Sequence, residues 1–179
     1  MRVDIIKKIG FTTAVFLLLF WIFAVVTSPK KEAFYYADSM LQQSGFSLSD
    51  EGVNDYWLFC SIKGLGFSNN SNPLFKSKKA TLFVLGAVNL IVLSETSADG
   101  QWKNLIPWDA KNTYILHTVF EPAKLRIFSN GAFGKANVVV SLKQKQAKLT
   151  VYPTEDVKQK IPMNLFKEEN GGLVYETVF

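Results

Sequence analysis

One uninterrupted apolar segment near the N-terminus, Ile9–Val26, constrains this chain more than any other feature. The segment carries no charge and lies between the basic pairs Lys7–Lys8 and Lys30–Lys31. As a helix it would be about 27 Å long, close to the hydrocarbon thickness of a bilayer. Backbone polar groups find no water there, so only a helix satisfies them. The sequence therefore predicts a transmembrane helix over residues 9–27.

The same segment could instead be a cleaved secretory signal, but its ends favour a retained anchor. Signal peptides have a shorter apolar region that ends in a small-residue cleavage site. Cleavage after Ser28 would place Val26 at the −3 position and Pro29 immediately after the cut, which makes a poor substrate. Residues 1–8 are too few to form a domain, so we expect them to be a cytoplasmic tail. The large C-terminal part is then the exported one.

Composition limits the exported part to one domain held together by its own core. About 150 residues follow the apolar segment, enough for a single core. From Ser28 onward, 17 Lys and Arg face 14 Asp and Glu, a net charge of +3 with the two signs interspersed. We therefore expect no nucleic-acid partner. The one cysteine, Cys60, cannot form an internal disulfide; it is either a buried core thiol or a bridge to a partner.

A short amphipathic helix is predicted to link the anchor to the domain, over residues 28–45. Ser28 and Pro29 are typical of an N-cap followed by proline at the first helical position. Gly45 is predicted to end the helix, because glycine adopts the left-handed conformation without strain. The apolar side of this helix either closes the end of a sheet or rests on the membrane interface.

Residues 46–179 change to a strand-like pattern and are predicted to form the exported, β-rich domain. Short alternating segments about ten residues apart, separated by turn formers, are typical of an antiparallel all-β fold. The fold class is therefore mainly β: a transmembrane helix, an amphipathic linker helix, and a curved antiparallel sheet forming a groove or a sandwich. Seven or eight strands are expected, at 46–49, 56–67, 80–93, 113–120, 125–129, 132 onward through 138–142, 147–152 and 173–179.

Two further segments carry specific predictions within this domain. Ala80–Leu93 is apolar on both faces, which predicts one long central strand bent at Gly86, with a re-entrant membrane segment as the minor alternative. Asn130-Gly131 is typical of a type I′ hairpin turn. Pro162 is predicted to begin a short helix over residues 162–169, which ends at Asn170–Gly172.

Residues suited to catalysis or metal binding are scarce in this sequence. The single histidine, His117, and Cys60 lie far apart, and no HExxH, CxxC or GxSxG motif occurs. The paired carboxylates Asp50-Glu51, Glu155-Asp156 and Glu168-Glu169 fall in predicted turns or helix ends, where solvated charge is the ordinary explanation. We therefore predict no catalytic residue, no metal site and no cofactor.

The order of the parts resembles a known family of envelope proteins. An N-terminal anchor leads into a helix ending at Gly45, then the strand 46–49, the segment YWLFCSIKGLGF and a long apolar stretch. This order is similar to the membrane-proximal unit of AsmA-like proteins and to the N component of type II secretion systems. The resemblance implies a single-pass protein of the bacterial inner membrane, N-terminus inside, with a periplasmic β-sheet around an apolar groove. It also implies a non-enzymatic role in lipid traffic or in assembly of secretion machinery.

Two functions of different class follow from these observations. The first is a binding or assembly factor of the envelope, with the lipid bilayer, phospholipid or other envelope and secretion proteins as partners. The second is a diverged membrane-anchored enzyme or an accessory subunit of one; a buried His117 near a carboxylate would favour it. For the first, we predict an apolar groove lined by Phe59, Phe83, Leu85, Val140 and Leu149.

Overall fold

The computed structural model describes residues 2–100, 109–158 and 166–178, with the backbone alone at residues 2–9. Helix α1 spans Arg2–Thr27. Within it, Gly10–Thr27 is long and apolar enough to cross a membrane, and only 6% of this window is buried inside the protein. A helix that is apolar on all sides and uncovered by protein fits a lipid environment rather than a core. The chain therefore begins with a candidate single-pass anchor.

Helix α2 spans Lys30–Gln42 and follows α1 after a two-residue joint. Its N-cap is Pro29, which makes no side-chain cap, so the predicted cap at Ser28 is wrong. The reason is that the Ser28 hydroxyl donates a hydrogen bond back to the carbonyl of Val25, at 3.1 Å. Gly45 lies just beyond the helix at φ +80°, the left-handed conformation that the sequence predicted.

The described residues after α2 form eleven strands and one further short helix, α3, at Glu155–Lys158. The strands are β1 (Phe46–Ser49), β2 (Gly52–Asp55), β3 (Phe59–Asn69), β4 (Asn72–Val84), β5 (Val88–Ala98), β6 (Asp109–Thr118), β7 (Lys124–Gly131), β8 (Gly134–Ser141), β9 (Gln146–Pro153), β10 (Lys167–Glu169) and β11 (Gly172–Val178).

All eleven strands belong to one open antiparallel sheet, so the predicted mainly β, antiparallel class is confirmed. The strand order is β1-β3-β4-β5-β6-β7-β8-β9-β11-β10, and β2 pairs with β3 in line with β1. From β3 to β9, every strand pairs with the strand that follows it in the chain. Successive hairpins therefore place their tips alternately at the two ends of the sheet.

The apolar run Ala80–Leu93 is two strands, not one, so the predicted single bent strand is wrong. The chain reverses at Gly86, whose φ of +74° is open to glycine but strained for other residues. The two halves of the run then pair with each other, with Phe83 opposite Leu90. Each half covers one neighbour, which explains why both faces of the run are apolar.

One predicted turn changes position, and one predicted helix is replaced in part by a strand. The β7–β8 hairpin is present, but Gly131 pairs with Gly134, so the turn is at residues 132–133 rather than at Asn130-Gly131. The predicted helix 162–169 is wrong over Lys167–Glu169, which is β10; residues 159–165 lie outside the described residues. Here Asn170 and Gly171 both have positive φ and form the tight turn between β10 and β11.

From their turn-forming residues, the sequence also predicts a turn at 50–52 and loops at 68–73 and 96–108. Strands extend into these segments, so their boundaries shift. β4 begins at Asn72, inside the predicted loop 68–73, and β2 occupies residues that follow a predicted turn. β5 continues to Ala98, inside the predicted loop 96–108. Residues 101–108 of that loop lie outside the described residues.

Two clusters of buried side chains hold the helices to the sheet. Phe34 of α2 packs with Cys60, Ile62 and Ala80 of β3 and β4. This contact favours the interpretation that α2 closes one end of the sheet. The second cluster joins α3 to β6, β8, β9 and the β7–β8 turn, through Ala110, Phe133, Ala136, Val151 and Val157.

The edge strand β1 is also protected by α2. The Asp38 carboxylate of α2 accepts a hydrogen bond from the Leu48 amide at 2.7 Å. A sheet edge otherwise presents unpaired amides to other chains, and this contact occupies one of them. At the other end of the helix, the Lys31 amide donates to the carboxylate of Asp55, at 3.3 Å. Helix α2 thus runs alongside β1 and β2 over their whole length.

Candidate functional site

A continuous row of apolar side chains crosses eight neighbouring strands on one face of the sheet. Residues directly opposite each other on paired strands share a face, so the register defines the row without ambiguity. From β3 to β11 the row consists of Cys60, Leu82, Ile91, Ile115, Ile127, Val138, Leu149 and Tyr175. We call the side of the sheet that carries this row the apolar face.

Two parallel rows flank it on the apolar face, and neither contains a charged residue. The row farther from α1 is mostly buried and consists of Ile62, Ala80, Leu93, Thr113, Ser129, Ala136, Val151 and Leu173. The row nearer α1 is half-buried over most of its length and consists of Val84, Asn89, His117, Leu125, Val140, Ala147 and Thr177.

The opposite side, which we call the charged face, differs in composition. Residues adjacent to the apolar row along each strand point to this side, because side chains alternate. They include Arg126, Lys148 and Glu176, which follow one another across the sheet with Val139 between the first two. Lys148 forms an ion pair with Glu176 at 3.0 Å. Water suits the charged face over β7 to β11. Over β3 to β6 the same row consists of Phe59, Phe83, Leu90 and Leu116, so that half of the sheet is apolar on both faces, whereas over β7 to β11 only the apolar face needs cover.

The helices cover the two ends of the apolar face. Helix α2 packs on β1, β2 and β3, and α3 packs on β9. Between these ends, Ile91, Ile115 and Ile127 are half-buried. The central part of the apolar face is therefore the part best placed to receive a ligand.

In the part of the chain that the structure describes, the row nearest α1 contains a polar atom that lacks a hydrogen-bond partner. The Asn89 Oδ1 atom is buried without a hydrogen-bond partner among the described residues. On the neighbouring strand, His117 lies opposite Asn89 in the register, and its Nε2 atom is 3.2 Å from the carbonyl of Pro122. A buried amide oxygen without a partner is unfavourable, so a donor from a ligand would stabilise it.

One further polar pair lies deeper on the apolar face and is satisfied internally. The Thr113 and Ser129 hydroxyls are buried and lie 2.7 Å apart across β6 and β7. Each hydroxyl thereby has a partner without disturbing the apolar surroundings.

Cys60 lies at the end of the apolar row, where α2 covers it completely. Burial raises the pKa of the Cys60 thiol, and the nearby Asp55 carboxylate adds to this increase. A protonated and inaccessible thiol is a poor nucleophile and a poor partner for a bridge. The structure thus supports the prediction of a buried core thiol.

The register separates the five residues predicted to line a groove. Val140 and Leu149 lie on the apolar face. Phe59 and Phe83 lie opposite each other one position away from the apolar row, on the charged face, with ring centroids 5.7 Å apart. Leu85 lies in the β4–β5 turn, where its amide bonds the Val88 carbonyl. A single surface therefore does not contain all five.

The residues that the sequence analysis did not select are the central isoleucines Ile91, Ile115 and Ile127. Alternation within each strand places them on one of two faces, but only the register between strands shows that they are neighbours. The signal was present in each strand, and no single strand contained the whole row.

Charged and metal-binding groups form no second site in the part of the chain that the structure describes. Within residues 10–100, 109–158 and 166–178, no three His, Cys, Asp or Glu side chains are placed to hold a metal ion. The Glu121 carboxylate, in the tip after β6, is paired with Lys124 and Arg126, at 2.8 and 2.6 Å.

Comparison with known proteins gave no relative for this chain. No protein-family model matches it, and neither the curated proteins nor the solved structures contain a similar chain. The resemblance to AsmA-like proteins and to the secretion-system N component therefore stays a prediction.

Proposed function

We propose that this chain is a membrane-anchored, non-enzymatic protein whose sheet curls into a groove that shelters lipid acyl chains on its apolar face. The observation that carries the proposal is the row of eight apolar residues flanked by rows without charge. Exposing an uncharged surface of this extent to water is unfavourable. Each methylene group buried against it stabilises the complex by about 0.8 kcal/mol. Hydrocarbon is the simplest chemical complement.

The dimensions of the row support an acyl chain as the occupant. Neighbouring strands lie about 4.8 Å apart, so the seven strands that remain when Cys60, covered by α2, is left out extend the row to about 29 Å. One leaflet of a bilayer contributes about half of a hydrocarbon core of roughly 30 Å. The row is thus long enough to cover the whole of an acyl chain lying across the strands.

The position of the polar atoms supports an amphipathic ligand over a purely apolar one. Asn89 and His117 belong to the row nearest α1, whereas the row farthest from α1 is nearly all buried. A phospholipid whose headgroup carries an ammonium or hydroxyl donor could direct that donor to the Asn89 Oδ1 atom and lay its chains along the apolar row. A closed sandwich with a second protein layer is the competing arrangement.

The location that we propose follows from α1 and from the large β-rich part that comes after it. With the N-terminus inside, the sheet lies in the periplasm of a bacterium, anchored in the inner membrane. The protein would then act in envelope biogenesis or in assembly of secretion machinery, with lipid or another envelope protein as its partner. The alternative of a diverged enzyme has no specific observation in its favour.

Site-specific photo-crosslinking tests the proposal in intact membranes. Ile115 and Leu116 are adjacent and half-buried, but they lie on the apolar and charged faces respectively. A photoreactive amino acid replaces each of them in turn in the full-length protein, and mass spectrometry identifies what becomes attached. Both positions lie at the same height above the membrane, so contact with bulk lipid affects them equally.

The expected result is a phospholipid adduct at position 115 and little or none at position 116. Adducts of equal yield at the two positions would show contact with bulk lipid only and would contradict the proposal. An adduct between position 115 and another protein would also contradict it, in favour of a protein-covered sheet.

A further inference from the structure

Four tips at one end of the sheet lie at the same end as α1, and we call them the proximal rim. They comprise residues 56–58, 85–87, 119–123 and 142–145, in the β2–β3, β4–β5, β6–β7 and β8–β9 connections. Three of the four are joined by backbone hydrogen bonds. The Val119 amide donates to the Ala87 carbonyl at 3.1 Å, and the Leu142 amide donates to the Ala123 carbonyl at 2.8 Å. The proximal rim is therefore largely one connected edge.

Large apolar side chains at the proximal rim are unusually exposed. Trp57 is 79% exposed and Phe120 is 81% exposed, although each lies close to the end of a strand. Leu142 in the fourth tip is half exposed, as is Leu58 beside Trp57. Apart from the β4–β5 tip, which lies nearest α1, each tip thus exposes an apolar side chain that points away from the sheet.

The opposite end of the sheet has a different chemistry. Its described turns are Asn70-Ser71 between β3 and β4 and Asn170-Gly171 between β10 and β11, which are polar and exposed. The third, between β7 and β8, contains Phe133, which is only 3% exposed because it packs into the core. Among the turns that the structure describes, exposed aromatic residues are therefore found at the proximal rim and not at the opposite end.

Two contacts fix the height of the proximal rim relative to α1. The Trp21 ring lies against Gly86, since a Cβ atom on Gly86 would be 3.0 Å from its Nε1 atom. Trp21 is six residues before the end of α1 at Thr27, or about 9 Å along the helix axis. The Asp55 carboxylate, next to the first tip, accepts the Lys31 amide just after α1. The rim thus lies beside the last turns of α1.

If α1 spans the bilayer, the proximal rim lies at a level inside the bilayer. The window Gly10–Thr27 is about 27 Å long, slightly less than a hydrocarbon core of roughly 30 Å, so it has no surplus length to raise Trp21 into water. A tryptophan near the end of a span is typical of the interface between headgroups and hydrocarbon. A hairpin tip at the level of Trp21 must then enter that interface.

From these observations we propose that the proximal rim inserts Trp57, Phe120 and Leu142 into the interface of the same leaflet from which α1 emerges. The occupant of this surface is the phospholipid leaflet itself, because the rim is continuous with the membrane-spanning helix. Lys143 and Lys145 in the last tip are exposed and favour anionic headgroups. The Glu121 carboxylate is neutralised by Lys124 and Arg126, so it does not oppose the approach.

Insertion would hold the sheet against the membrane surface instead of leaving it free on the Ser28-Pro29 joint. This inference rests on the membrane-anchoring part of the proposed function but not on lipid binding at the apolar face. A sheet could be docked in this way and carry no lipid on its apolar face, or carry lipid while standing clear of the bilayer.

Spin labels at matched positions test the proposal in the full-length protein. The protein, with Cys60 replaced by Ala, is reconstituted in vesicles of phosphatidylethanolamine and phosphatidylglycerol. One variant carries the label at Phe120→Cys, at the proximal rim, and the other at Asn130→Cys, exposed at the far end of β7. Depth is measured from the relative access of oxygen and of a water-soluble nickel chelate.

The expected depth of the Phe120→Cys label is about 5–10 Å into the headgroup and acyl boundary, and the Asn130→Cys label stays in water. Equal access of the nickel chelate to both labels would overturn the proposal. A second measurement leaves Cys60 unchanged: brominated phospholipid should quench the wild-type fluorescence more than that of Trp57→Phe. Equal quenching of these two proteins would also overturn it.

Discussion

Trp21 of the membrane-spanning helix lies against Gly86 at the tip of the β4–β5 hairpin, with its Nε1 atom 3.0 Å from where a Cβ atom on Gly86 would lie. This contact joins the two parts of the protein that the sequence treats as separate, the anchor and the sheet. It also explains why glycine occupies this tip, because both its positive φ and the indole ring exclude a side chain.

Substitution of Gly86 should therefore lower the free energy of unfolding by more than the strain of its positive φ alone. Gly171 provides the control, since it has the same φ of +74° and no atom lies within 4 Å of the place that a Cβ atom would take there. We expect Gly171→Ala to lower the free energy of unfolding by about 1–2 kcal/mol, from left-handed strain alone. Gly86→Ala should lower it further, because Trp21 must move. The measurement is denaturant unfolding of the full chain in micelles, and equal losses would contradict the contact.

Cys60 should make stability depend on alkaline pH. The pKa of its thiol is raised in the folded protein, so the folded state favours the protonated form. The stabilisation is complete below the ordinary pKa of 9.0 and is lost as pH rises toward the higher folded value. We expect wild-type stability to fall more steeply above pH 9 than that of Cys60→Ala. Parallel curves for the two proteins would contradict the buried thiol.

The Thr113 and Ser129 hydroxyls should behave as a unit on the apolar face. Removing one leaves the other buried without its partner, which costs about 1–3 kcal/mol. We therefore expect Thr113→Val and Ser129→Ala each to be destabilising, whereas the double variant should be close to wild type. A double-mutant cycle of unfolding free energies measures the coupling. Additive losses would show that the two hydroxyls do not depend on each other.

Glu121 should titrate at lower pH than an ordinary glutamate. Hydrogen bonds from Lys124 and then Arg126 lower the pKa of its carboxyl below 4.5. The pairing is complete above the ordinary pKa and is lost as pH falls through the lower folded value. We expect the side-chain carbonyl resonance of Glu121 to titrate at higher pH in Arg126→Gln than in wild type. An unchanged midpoint would contradict the pairing.

The anchor, the class of fold and part of the apolar face could be predicted from the sequence alone. Alternation on either side of a short turn assigns six residues to one face: Val138, Val140, Leu142, Ala147, Leu149 and Val151. Leu142 is an error in this set, because β8 ends at Ser141 and Leu142 lies half exposed in the tip. The register of β8 and β9 confirms this face. Local alternation suffices when two strands are adjacent in the chain and the turn between them is evident.

Other features could not be predicted because they depend on where the chain reverses. Gly86 in an apolar run is compatible with a bend or with a tight turn, and only pairing between β4 and β5 decides between them. Phe59 and Phe83 are strongly apolar, but each lies one residue away from the apolar row along its strand. This places both on the face opposite Leu149. In the sequence, Trp57 and Phe120 lie near the ends of two separate strands. Only the arrangement of the hairpins shows that both lie at the same end of the sheet.

The central claim is that the apolar face holds lipid, and the phospholipid retained by the purified full-length protein tests it most directly. Ile127 and Phe128 are adjacent on β7 and lie on the apolar and charged faces respectively. Ile127→Lys places a charge in the apolar row, Phe128→Lys is the matched control, and Ile127→Thr is a milder variant that keeps the strand. Lipid bound to α1 is common to all of them.

We predict that native mass spectrometry finds the same phospholipid on wild type and on Phe128→Lys, and less on both Ile127 variants. Equal retention by all four proteins would contradict the claim that the apolar face is the binding surface.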